Sequence, residues 1–156
     1  MNVTRFTHVL ERVLRSSPFV RKHFENIYVI INPLAGGFRN SHIIGHFVKV
    51  IEQRMEGSAF YTEGEPVIRF FPTTYEGEEE QITSSILQNE IADGQTAGRN
   101  LIVVCGGDGT SCKVSTALAL AEQCDPSQWT LFRLPLGTGN DGADARSPEE
   151  AVDILW

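Results

Sequence analysis

Two short glycine-rich stretches hold the residues most able to do chemistry. Gly106-Gly107-Asp108-Gly109-Thr110 follows the apolar run Leu101-Ile102-Val103-Val104-Cys105. Leu136-Gly137-Thr138-Gly139-Asn140-Asp141 follows Leu131-Phe132-Arg133-Leu134. Backbone without side chains lets main-chain N–H groups close on a phosphate, and a helix that starts there adds partial positive charge. Each stretch also carries a carboxylate, Asp108 in the first and Asp141 in the second. A carboxylate beside a phosphate is unfavourable unless a cation or a proton transfer intervenes. The combination points to phosphoryl chemistry rather than anion storage.

Neither stretch is a familiar phosphate fingerprint. No G-x-x-x-x-G-K-[ST] occurs in the chain. Gly137 to Gly142 has G-x-G-x-x-G spacing, but the dinucleotide version belongs after a first strand, and this one follows the last candidate strand. The match reads as accidental. His42 and His46 share a helical face at a metal-binding spacing, yet no third ligand is placed with them, so they read as surface histidines. The acids from Glu76 to Glu80 read as a solvated helix start.

The elements that must position these residues follow from periodicity. Phe6, Val9, Leu10, Val13 and Leu14 recur at helical spacing, and Ser16-Ser17-Pro18 should end that helix. Ile27 to Ile31 is apolar throughout and β-branched, a buried strand. The chain turns at 32–37, and Ile43, Ile44, Phe47, Val48, Ile51 and Met55 predict a helix over 41–55. Gly57 to Pro66 is a polar loop, and Val67 to Phe71 a second strand. A helix follows from Glu76 to about Ile91, then a loop from Asp93 to Asn100. Strand 101–105, helix 110–123 and strand 130–134 come next, with Asp125-Pro126 as the break. Ser147-Pro148-Glu149-Glu150 reads as a capping box that starts a last helix. Alternating strands and helices predict an α/β fold. It is a doubly wound, mostly parallel sheet in a Rossmann-like three-layer α/β/α nucleotide-binding domain. In such sheets ligands sit beyond the carboxyl ends of the strands. Loops 32–37, 72–77, 106–110 and 135–141 should therefore gather at one edge.

Composition narrows the class. The chain has 156 residues, 41% hydrophobic and 21% charged, as expected of one globular domain. A net charge of -7 argues against nucleic acid as a partner. It gives no general attraction to anionic lipid, although a local basic patch could still contact a membrane surface. The three cysteines, Cys105, Cys112 and Cys124, form no C-x-x-C and read as buried reduced thiols of a cytoplasmic protein.

The assembled motifs resemble one family. The order N-P-x-[SA]-G, T-x-x-x-G, G-G-D-G-T and P-L-G-T-G-N-D is similar to that of the diacylglycerol kinase catalytic domain. That group takes in sphingosine kinases and bacterial lipid kinases and is related to NAD kinases and phosphofructokinases. Here the pattern is Asn32-Pro33-Leu34-Ala35-Gly36, Thr73 with Gly77, Gly106 to Thr110, and Pro135 to Asp141. The resemblance spans roughly 27–156, which assigns 27–156 to the nucleotide-binding domain and 1–26 to an N-terminal helix and linker. It implies ATP-dependent phosphoryl transfer to a lipid hydroxyl such as that of diacylglycerol, with Mg²⁺. Asn32, Gly36, Thr73, Gly106, Gly107, Gly109, Thr110, Gly137, Thr138, Gly139, Asn140 and Asp141 would line the ATP site. Asp108 would be the catalytic acid, holding Mg²⁺ against the phosphates or receiving the acceptor's proton. The family's β-rich lipid-binding domain has no counterpart in these residues, so the isolated chain is expected to be weak or inactive. An NAD kinase-like enzyme and a non-catalytic nucleotide-binding regulatory module are the competing readings.

Three stretches depart from the family pattern, one of them at Gly142, where the family commonly has an aromatic after N-D. The pattern continues G-G-D-G-T-x-x-E, where this chain has Lys113, and has G-H-A where this chain has Gly77-Glu78-Glu79. Lys113 reads as a surface lysine or a phosphate contact, and Arg39 as a surface arginine or a phosphate contact.

Overall fold

The computed structural model describes residues 3–57, 64–92, 98–122 and 124–156. Much of the loops expected at 57–66 and 93–100, and Gln123, the expected last residue of a helix, lie outside the described residues. Four strands form one all-parallel sheet in the order β2-β1-β3-β4. They are β1 (Asn26–Ile31), β2 (Val67–Pro72), β3 (Asn100–Gly106) and β4 (Trp129–Pro135). The chain leaves β1 toward β2 on one side and then crosses back to β3 on the other. Central strands β1 and β3 are buried along their whole length, which explains their unbroken apolar sequence. Edge strand β2 alternates between exposed and half-buried residues along most of its length.

Successive side chains of a strand point to opposite faces, so each face recruits its own set. Ile27, Val29, Ile31, Leu101, Val103 and Cys105 face helices α1 (Val3–Ser16), α4 (Ser41–Met55) and α7 (Pro148–Leu155). Tyr28, Ile30, Ile102 and Val104 face α5 (Glu78–Ala92) and α6 (Asp108–Ala119). The apolar stripe of α1 is buried at the five positions its periodicity picks out. Phe6 meets Phe47 edge-on with ring centroids 6.1 Å apart, so α1 packs directly into this core.

Three short helices were not anticipated: α2 (Pro18–His23), α3 (Gly36–Arg39) and a 3₁₀ turn at Pro126–Gln128. Pro18 does end α1, but it also occupies the first turn of α2, with the Ser17 hydroxyl accepting from Val20 N at 3.0 Å. Helix α5 starts at Glu78 rather than Glu76 because Gly77 adopts a positive φ of 94°. Helix α6 ends at Ala119 instead of continuing, and Leu120 beyond it is exposed. The expected capping box at α7 is only half formed. Ser147 accepts from Glu150 N, but the Glu150 carboxylate takes the N–H of Arg146 rather than that of Ser147.

Register brings the strand ends level. Ile31 pairs with Cys105 and with Pro72, and Gly106 pairs with Pro135. All four strand-end loops therefore leave the sheet at the same height.

Candidate active site

A cleft of about 430 Å³ opens at that edge, where the strand order reverses between β1 and β3. All four loops contribute. Asn32, Leu34, Ala35 and Gly36 come from the first, Tyr75, Glu76 and Glu79 from the second and the start of α5. Gly107 to Thr110 and Lys113 come from the third loop and α6, and Gly137 and Thr138 from the fourth.

The two glycine-rich loops meet backbone to backbone. A Cβ on Gly137 would stand 2.7 Å from the Gly107 Cα, too close for any side chain. Asn140, the one described non-glycine residue at positive φ (60°), turns its side chain back to accept from Gly137 N at 2.6 Å. Asp108 opens α6 and is exposed to the cleft. Its Oδ1 accepts from Gly142 N at 2.8 Å, and a Cβ on Gly139 would lie 3.0 Å from its Oδ2. The fourth loop thus wraps the carboxylate that the third loop presents. A carboxylate and a helix N-terminus share one open space, and the helix start favours negative charge there.

The model of the diacylglycerol kinase catalytic domain matches residues 26–155. This chain belongs to that family. A probable lipid kinase, YegS-like, from Pseudomonas savastanoi pv. phaseolicola (strain 1448A / Race 6) is 47% identical over 55 residues, which cover 35% of this chain and 17% of the relative. A diacylglycerol kinase crystal structure from Bacillus anthracis str. Sterne superposes with a TM-score of 0.55 at 25% identity, covering 85% of this chain and 42% of that one. The chain therefore spans less than half the length of either relative.

Two of the departures from the diacylglycerol kinase pattern, at 79 and 113, meet in space. Glu79 is only 1% exposed, although the acidic cluster reads as a solvated helix start. Its Oε1 accepts from Asn32 Nδ2 at 3.2 Å and from the Thr110 hydroxyl at 3.3 Å. Its Oε2 accepts from Gly77 N at 3.0 Å and lies 3.9 Å from Lys113 Nζ. Asn32 Nδ2 also donates to the Thr110 hydroxyl at 3.0 Å, and Asn32 Oδ1 accepts from Leu34 N. Thr110 is therefore a buried member of this network as well as a residue of the first helical turn. Lys113 stands on the cleft wall, 3.6 Å from Glu76 Oε1, rather than out in solvent. Helical spacing carried a signal for Glu79, because Glu79, Thr83, Ile86 and Glu90 form one buried stripe of α5.

The other expected site residues divide. Asn32, Gly36, Gly107, Asp108, Gly109, Thr110, Gly137 and Thr138 line the cleft. Thr73 does not line it and is buried, its N–H on the Ile31 carbonyl. Gly106 is packed against Thr110. Gly139, Asn140 and Asp141 do not line the cleft, although Gly139 lies against the Asp108 carboxylate. Arg39 is exposed and does not line the cleft, and His46 pairs with Glu149 at 2.7 Å. Sequence reasoning missed Arg133, whose guanidinium holds Asp144 at 2.7 Å. Hydrogen bonding to Asp144 keeps Arg133 more firmly protonated than usual, partial burial opposes this, and the charge of Asp108 adds to it. Of the cysteines only Cys105 is buried, which pushes its thiol pKa up, whereas Cys112 is exposed.

No group of three or more His, Cys, Asp or Glu among the described residues is arranged to hold a metal ion. Mg²⁺ needs no such cage, since it commonly takes one or two carboxylates together with substrate phosphates. Asp108, exposed on the cleft with Oδ2 beside Gly139, fits that demand. No helix among the described residues is long and apolar enough to cross a membrane.

Proposed function

We propose that this chain carries the nucleotide-binding part of a lipid kinase, residues 27–156, which binds ATP in the cleft and transfers its γ-phosphoryl to a lipid hydroxyl of the diacylglycerol type. The observation that carries the reading is the Asp108 carboxylate, clasped by Gly142 N, at a helix start between two touching glycine loops. Phosphates would lie over the N–H groups of 107–110 and of Thr138, the Gly137 N–H being already taken by the Asn140 side chain. Bound Mg²⁺ would neutralise charge on the transferring group, and Asp108 would hold it. In the alternative role, with the metal carried by the phosphates, the Asp108 carboxylate would take the proton released by the lipid hydroxyl as its oxygen bonds to phosphorus and the bond to ADP breaks. Asn32 and Thr110, fixed by Glu79, form the polar floor. The lipid would come from the solvent-facing mouth, in contact with a membrane surface. The lipid kinases among the relatives favour lipid over NAD as acceptor.

Calorimetry of the full-length protein with ATP and Mg²⁺, paired with a radiolabel assay on diacylglycerol vesicles, tests the proposal. Binding with transfer is expected. Asp108→Asn should lower the transfer rate about 10³-fold while the protein stays folded, the scale of losing a charge-stabilising or proton-transfer group. ATP binding without any transfer would turn the reading to a regulatory module. Absence of ATP binding would overturn it.

A further inference from the structure

Glu79 is a buried carboxylate with more partners than any other side chain at the cleft. It reaches Asn32 on the first loop, Gly77 on the second, and Thr110 and Lys113 on α6. Three of the four strand-end loops are thus tied through one group. Its burial is compatible with charge because those donors and one ammonium surround it. Lys113, one turn along α6 from Thr110, supplies that ammonium, with exposed Glu76 as its second partner.

We propose that Glu79 is a positioning residue of the nucleotide site, charge-paired with Lys113. The site holds one buried carboxylate against Asn32 and Thr110, delivered from α5. Without it, Asn32 Nδ2 loses one acceptor and the Thr110 hydroxyl loses its anionic one, and both groups line the cleft. Without Lys113, the carboxylate stays buried with no compensating cation.

One consequence is counter-intuitive. K113E brings in the residue of the family pattern, yet it should be harmful, because two carboxylates would then crowd one buried point. E79A in the same protein should relieve this, since the side chain at 113 reaches that point from the opposite helix. The inference rests on the ATP reading, so the test has one arm that does not need it. In the full-length protein, K113E and E79A should each raise KM for ATP by about tenfold, the scale of about 1.4 kcal/mol, with a smaller change in kcat. The K113E/E79A double variant should return to within about threefold of wild type, a strongly non-additive result. Independently of nucleotide, the side-chain amide resonances of Asn32 should move in E79A and exchange faster with solvent. Additive losses in the double variant overturn the proposal. So does a fall in kcat alone that follows the folded fraction, or an Asn32 amide signal that ignores E79A. Should ATP fail to bind to the wild type, the functional reading falls. The Asn32 signal and the urea midpoints of the three variants then decide the Glu79–Lys113 pairing by themselves.

Discussion

The two faces of the sheet are built differently. One carries a broad apolar cluster that joins α1, α4 and α7 to the strands, with Phe6, Leu10, Leu14, Phe47 and Ile51 almost wholly excluded from water. The other carries a small cluster beneath α5 and α6, in which few helix side chains, Ile86 and Val114 among them, are fully buried. Buried polar groups collect on this thinner face: Glu79, Thr83, Glu90, Thr110 and Ser111 all belong to α5 or α6. Glu90 even leaves Oε2 without a hydrogen-bond partner among the described residues. Few apolar contacts and many polar ones mean a lower cost of local opening. The lesson is a division of labour. The thick face supplies stability, and the thin face, whose helices wall the cleft, gives up apolar packing for polar groups that can work.

That contrast can be broken by paired substitutions. Phe47→Ala on the thick face should cost about 3–5 kcal/mol, whereas Ile86→Ala on the thin face should fall near 2 kcal/mol, measured by urea denaturation. Equal losses would show that the faces differ in appearance only. Gly137→Ala probes the junction between the glycine loops. The added methyl, 2.7 Å from the Gly107 Cα, should cost about 1–3 kcal/mol of overpacking and weaken ATP binding at the same time. A variant that binds ATP like the wild type would separate loop contact from nucleotide binding. The mildest test changes nothing in the protein. Alkylation followed by mass spectrometry should label exposed Cys112 on α6 first, Cys124 more slowly, and Cys105 only on unfolding. Early labelling of Cys105 would mean that the thick face opens more readily than its packing implies.

Much of this architecture was legible in the sequence because it rests on repetition. The stripes of α1 and α4 and the unbroken apolar runs of β1 and β3 are read directly from spacing, and the parallel sheet follows from them. Level strand ends then bring the four loops together without further information. The cleft floor was less legible. Glu79 sits within five residues that include four acids, and composition cannot separate the member that turns inward from those that stay in solvent. Only the helical phase it shares with Thr83 and Ile86 distinguishes it. The partners of Lys113 are illegible for a related reason. Its setting depends on a carboxylate from another helix, and pairing at that sequence distance leaves no local pattern. Pro18 was read as a stop, although the same fixed φ that ends one helix can begin the next.

Asp144 takes hold of β4 from outside the sheet: its carboxylate accepts Arg133 N at 2.7 Å, and its own N–H donates to the Arg133 carbonyl at 3.0 Å. Both outward-facing main-chain groups of Arg133 are therefore spoken for. A stray extended segment sliding along that margin would find its template plugged midway, a safeguard against strand-to-strand aggregation. The fourth loop thereby acts as a bolt on the free border of the sheet, besides shaping the ground where Asp108 stands.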